Sequence, residues 1–182
     1  RQADGAAAGQ PGLGYYSDDL GDWHIVALNS NCNQIACGEG SAQADWLRQD
    51  LESHPQACTL VYWHDPRWSS GLAGSIPAAD TFWRIANEYG VEVVVNGHDH
   101  DYERFAPQDA AGQADPNGVR EFVAGMGGTL ERGWGQTLPN SEVRNNDTWG
   151  VLVFSLYPGR YDWQFVPVAG GAFQDAGSGT CH

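Results

Sequence analysis

Val91-Glu92-Val93-Val94-Val95-Asn96-Gly97-His98-Asp99-His100 joins a nearly continuous apolar run to a glycine and two alternating histidines. An apolar run without alternation is the pattern of a strand covered on both faces, as inside a parallel sheet. Just before it, Ala78, Phe82, Ile85, Ala86 and Tyr89 recur at helical spacing after Pro77, and Gly90 is placed to end that helix. Cys58 to Trp63 is a second short apolar strand. Ser41 can cap a helix to about Ser53, with Trp46, Leu47 and Leu51 on one stripe and Arg48, Gln49 and Glu52 facing water. Tyr15 to Leu20 and Trp23 to Asn29 flank Gly21-Asp22 as a two-residue hairpin. Strand, helix, strand, helix, strand makes two successive βαβ units and predicts a layered α/β domain.

Beyond His100 the pattern changes. Arg120 to Ala124, Gly150 to Tyr157 and Tyr161 to Val168 alternate as antiparallel strands do, with a turn at Pro158-Gly159. Residues 1–14, rich in Ala and Gly, read as a linker or the tail of something upstream. Residues 15–169 read as the folded part, and 170–182 as a Gly-rich coil tied back by Cys181. A chain that opens on Arg1 is expected to be processed or truncated, and half a layered sheet alone is expected to associate through its uncovered edge.

The formal net charge is -14, and every one of the nine basic residues is an arginine. Without lysine there is no phosphate-loop Lys, no Schiff base and no polybasic nucleic-acid surface, so affinity for anions must come from Arg, backbone amides or metal ions. Nor does any apolar run approach the ~20 residues of a membrane helix. The four cysteines fall as a close pair, Cys32 and Cys37, and a distant pair, Cys58 and Cys181. Two disulfides suit that spacing, with free or metal-binding thiols as the alternative; disulfides imply a secreted or periplasmic protein.

Strands of a βαβ unit are parallel neighbours, and ligand sites of open α/β sheets lie beyond their carboxyl ends. His64 follows the strand ending at Trp63, and His98 and His100 follow the strand ending near Asn96, so three of the six histidines converge on one edge. Nitrogen donors gathered in this way suit a metal.

Val61-Tyr62-Trp63-His64 resembles the V-x-x-H motif of calcineurin-like metallophosphoesterases, and Gly97-His98-Asp99-His100 their G-H-x-H motif. Continued through Tyr102-Glu103-Arg104, the sequence is similar to the purple acid phosphatase branch and its secreted bacterial relatives. Gln43, Trp46-Leu47 and Asp50-Leu51 resemble the helix that precedes V-x-x-H there. The resemblance runs from about Tyr15 onward. It implies the C-terminal portion of a layered α/β/β/α sandwich, in which His64 and His98 bind one metal ion and His100 another. The pair would be divalent or trivalent ions, with Fe, Zn, Mn and Ca as candidates. Such a pair binds phosphate oxygens and generates hydroxide, so no side-chain nucleophile is needed.

The family's Asp, GDxxY and GNH motifs are not found in this sequence, which places the remaining ligands in an N-terminal part of the same domain. Many relatives carry a second histidine where this chain has Asp65. That carboxylate could donate a proton to the leaving alkoxide, orient a ligand histidine or merely begin a turn. Asp99 is similarly placed to orient an imidazole. Arg67 and Arg104 could meet phosphate, with salt bridging as the plainer role. The expected function is metal-dependent hydrolysis of phosphate esters, monoesters foremost. The alternative is a non-catalytic, disulfide-stabilised extracellular binding module with a vestigial metal site.

Overall fold

A computed structural model of the chain describes residues 9–55, 58–129 and 133–182. Residues 1–8 of the expected linker lie outside the described residues. Its remainder packs on the domain: the Leu13 N–H donates to the Gln10 carbonyl at 3.2 Å, and the Leu13 carbonyl accepts from Asn29 Nδ2 at 2.9 Å.

Strands β1 (Tyr16–Leu20) and β2 (Trp23–Ala27) form the expected antiparallel hairpin. Helix α1 (Ala42–Ser53) starts where the Ser41 hydroxyl accepts from the Ala44 N–H at 3.2 Å, satisfying one of the amides that a helix start leaves unpaired. Strand β3 (Cys58–Tyr62) follows, then a 3-10 turn (Pro77–Ala79) leading into α2 (Asp80–Glu88), then β4 (Val93–Asn96). Gly90, at φ 66°, lets the chain leave α2 in the left-handed region and turn directly into β4. The tight 3-10 turn shifts the phase of the helix, so Ala79 rather than Ala78 faces the core and Ala78 is exposed. Trp83 is buried as well, its indole N–H donating to the Asp109 carbonyl at 3.1 Å.

Beyond β4 come β5 (Tyr102–Phe105), β6 (Arg120–Ala124) and β7 (Ser141–Asn145). The large sheet has the order β1-β2-β3-β4-β6-β5-β7, in which β2, β3, β4 and β6 are mutually parallel. The antiparallel expectation for Arg120 to Ala124 therefore holds only against β5, because β6 also extends the parallel sheet beside β4. Strands β8 (Gly150–Tyr157), β9 (Arg160–Pro167) and β10 (Ala176–Thr180) form a second, antiparallel sheet in the order β10-β9-β8.

The expected coil over the Gly-rich tail is overturned by β10. A Cβ on Gly177 would stand 2.3 Å from the Trp163 ring, and one on Gly179 would stand 2.3 Å from the Tyr161 ring. Glycine is what lets this strand lie flat on two aromatic faces.

Two cores join the layers. On one face of the large sheet, Val26, Val61 and Val94 pack against Leu47, Leu51, Phe82 and Ile85 of the helices. On the other face, Trp23, Leu60, Val93 and Phe122 pack against Tyr161, Trp163 and Phe165 of the second sheet. Each large apolar side chain removed from water in this way contributes roughly 1.5–3 kcal/mol. Helices, sheet and sheet are the layers expected of the C-terminal portion of an α/β/β/α sandwich. Disulfides join Cys32 to Cys37 and Cys58 to Cys181, the second fastening the end of β10 to the start of β3.

Candidate metal centre

Parallel pairing of β2, β3 and β4 brings their carboxyl ends to one edge and continues past the strands as single backbone bonds. The Leu28 N–H donates to the Tyr62 carbonyl at 2.9 Å, Trp63 N–H to Val95 at 3.1 Å, and Gly97 N–H to His64 at 3.0 Å. The Asn96 side chain adds a donor to the Trp63 carbonyl at 3.0 Å. His64 is thereby fixed beside the Gly97 turn.

His98 leaves that turn with φ 67°, a left-handed conformation that L residues adopt at some cost. Its Nδ1 stands 3.3 Å from His64 Nε2, with the two rings nearly perpendicular at 87°. Asp65 Oδ1 is 3.3 Å from the same Nδ1. His64, Asp65 and His98 each present a donor atom within 4.8 Å of the others. Two imidazoles and a carboxylate at this spacing are a donor set that fits a transition metal ion. His100 is half-buried and is not a member of this group.

Asp65 is held from both sides, by its N–H donating to Ser30 Oγ at 3.0 Å and by the Trp63 indole donating to its carbonyl at 2.6 Å. A cavity of about 650 Å³ opens over the group, lined among others by Asn29, Asn31, Asn33 and Ile76. Among the described residues, no arginine lines it.

Three buried carboxylates hold the backbone nearby: Glu121 and Glu103, which sequence reading missed, and Asp99, expected in another role. Glu121 accepts from the Arg67 and Trp68 N–H groups at 3.0 and 3.2 Å, and Glu103 accepts from the Ser70 N–H at 2.7 Å. Asp99 accepts from Ser69 Oγ at 2.5 Å and from the Ala73 and Gly74 N–H groups at 2.8 and 3.1 Å. Together they tie down the loop that follows Asp65. The signal for them is the alternation of acids at 99, 101 and 103 with the histidines at 98 and 100. Asp101 is fully buried, its carboxylate has no hydrogen-bond partner among the described residues, and burial first, then the charges of Asp99 and Glu103, pushes its pKa up to about 8. Burial likewise raises Glu121 to about 8.

Three expected site residues are placed elsewhere. Asp99, expected to orient an imidazole, has its buried carboxylate taken up by the loop. Arg67 donates to Asp80 at 3.0 Å with its guanidinium 3.9 Å over the Trp68 ring, away from the cavity lining. Arg104 forks onto Asp175 through Nε at 2.8 Å and Nη2 at 3.2 Å and also pairs with Glu142, so it clamps the two sheets together. An arginine with a bidentate carboxylate partner in a buried setting is not free to take up phosphate.

Comparison with known proteins gives the geometry a context. No protein-family model matches the chain. Purple acid phosphatase 15 of Arabidopsis thaliana is 32% identical over 124 residues, covering 65% of this chain and 23% of that protein. Acid phosphatase A of Cryphonectria parasitica is 34% identical over 104 residues, covering 52% of this chain and 21% of that protein. The structure of purple acid phosphatase PPD1 from yellow lupin (Lupinus luteus) seeds superposes with a TM-score of 0.79 at 17% identity, over 91% of this chain and 32% of that one. The chain thus spans less than a quarter of the length of these two curated relatives. In sequence it is similar to part of these acid phosphatases, and in fold to part of PPD1.

Proposed function

We propose that this chain, as a purple acid phosphatase homologue, contributes the histidine-bearing part of a catalytic domain that hydrolyses phosphate monoesters at a pair of metal ions. The observation that carries the reading is the meeting of His64, Asp65 and His98 over a cavity at the carboxyl edge of the parallel sheet. His64 and His98 would hold one ion and His100 the other. Bound there, the ions would supply Lewis acidity toward phosphate oxygens and a hydroxide near neutral pH.

This chain's own residues do the positioning. The Gly97 turn and the backbone bond to His64 hold the two imidazoles face to edge, so little ordering is left to occur on binding. Asp65, fixed by Ser30 and Trp63, lines the cavity beside His98 and would hold a proton for the leaving alkoxide rather than ligate the ion. No arginine lines the cavity among the described residues, so within this chain backbone amides and metal would meet the charge of a bound phosphate. Asn31 and Asn33 offer neutral hydrogen-bonding groups to the alcohol portion.

The remaining ligands would come from an N-terminal part of the same domain. Next to His64, an apolar cavity of about 520 Å³ between the sheets, lined by Leu60, Val95, Leu152 and Phe154, is suited to receive it. Two disulfides, and the absence among the described residues of a helix long and apolar enough to cross a membrane, favour a secreted or periplasmic setting.

The test is metal content and p-nitrophenyl phosphate hydrolysis of the full gene product. His64→Ala and His98→Ala should each lower both at least ~10-fold. Unchanged metal content and activity in both variants would overturn the reading.

A further inference from the structure

At the opposite, amino-terminal edge of the large sheet lies a second gathering of donors. His24 of β2 is 1% exposed, yet both ring nitrogens are engaged: Nδ1 is 2.8 Å from Asp19 Oδ1, and Nε2 is 2.9 Å from Asp50 Oδ2. His54, just past α1, stacks on it with ring centroids 4.4 Å apart, and its Nδ1 is 2.8 Å from the Asp50 carbonyl oxygen. Asp50 is steadied in turn by the Ser17 hydroxyl at 2.7 Å. Asp19, His24 and His54 each present a donor atom within 4.8 Å of the others.

We propose that Asp19, His24 and His54 form a metal site separate from the first, taking a divalent transition ion such as zinc through one carboxylate oxygen and two imidazole nitrogens.

Asp50 supplies what metal-binding histidines need behind them. Its carboxylate engages Nε2 of His24 and its carbonyl engages Nδ1 of His54, leaving His24 Nδ1 and His54 Nε2 as the ligating atoms. Charge favours the ion too. A divalent ion held there lies against two carboxylates, Asp19 as a ligand and Asp50 behind His24. Access is open, since the Asp19 and His54 side chains are 45% and 37% exposed. The His54 ring is parallel to that of His24 within 10° and must tilt to aim its lone pair at a shared ion, which its exposure permits. Water completes the fourth position.

Zinc titration of the chain carrying His64→Ala, His98→Ala and His100→Ala tests the site with the first centre silenced. One zinc ion per chain is expected to bind and to raise the melting temperature. Adding His54→Ala, or separately Asp19→Asn, should weaken that binding at least ~10-fold; both are partly exposed positions that do not carry the core. No zinc binding in the parent variant, or binding unchanged by both further substitutions, would overturn the proposal.

Discussion

A Cβ placed on Gly125 would stand 1.9 Å from the carbonyl oxygen of Asp99, so the end of β6 lies directly against the loop carrying His98 and His100. The Gly125 N–H donates to the Asp101 carbonyl at 3.0 Å in the same contact. Gly125→Ala must push the histidine loop aside. A loss of about 2–3 kcal/mol in stability, together with weaker metal binding, is expected from denaturant melts and metal titration.

His98 combines a ligand role with an unfavourable backbone. His98→Gly should relieve about 1 kcal/mol of left-handed strain while removing the imidazole. The variant is expected to melt no lower than the parent chain and to lose metal, a separation that His98→Ala would not show because alanine keeps the strain.

Arg104 serves the interface between the sheets. Among the described residues, Arg104→Ala leaves the buried Asp175 carboxylate with the Tyr102 hydroxyl, at 2.6 Å, and the Trp163 indole, at 3.1 Å, as its partners. The expected cost is about 3 kcal/mol. In the full gene product, the KM for a phosphate ester should stay within twofold of the parent value; a large rise would return Arg104 to the substrate site.

Glu121 gives stability a pH dependence of definite sign. Its pKa is about 8 in the fold against an ordinary 4.5, so between these values the folded chain holds a proton that the unfolded chain releases. Stability therefore falls as pH rises through that window and levels off above it, by roughly 1.4 kcal/mol per pH unit at most for one group. Asp101 acts in the same direction. Glu121→Gln keeps an acceptor for the Arg67 and Trp68 amides and should flatten the slope of Tm against pH.

The βαβαβ frame was legible because its strands are apolar and its helices amphipathic, signals that survive without knowledge of partners. Convergence of His64 with His98 followed from parallel pairing alone. Strands β5 and β7 were not legible, being short and rich in polar residues such as Glu103, Arg104, Glu142 and Arg144. The roles of Arg104 and Asp99 depend on partners remote in sequence, 71 residues away for Asp175 and 25 to 30 for the loop. Local pattern carries no trace of them. Strand β10 failed for another reason, since glycine disfavours strands in general and is required here by the rings beneath it.

The bridge between Cys58 and Cys181 spans a sequence separation of 123, against 5 for the bridge between Cys32 and Cys37. During synthesis Cys58 emerges long before its partner, with Cys32 and Cys37 already available. Shorter loops close at lower entropic cost, so Cys32 and Cys37, five residues apart, pair first and leave Cys58 without a competing partner until the tail arrives. The long bridge is then the last covalent step of the native chain, and a free thiol at Cys58 marks every chain that has not yet reached its end.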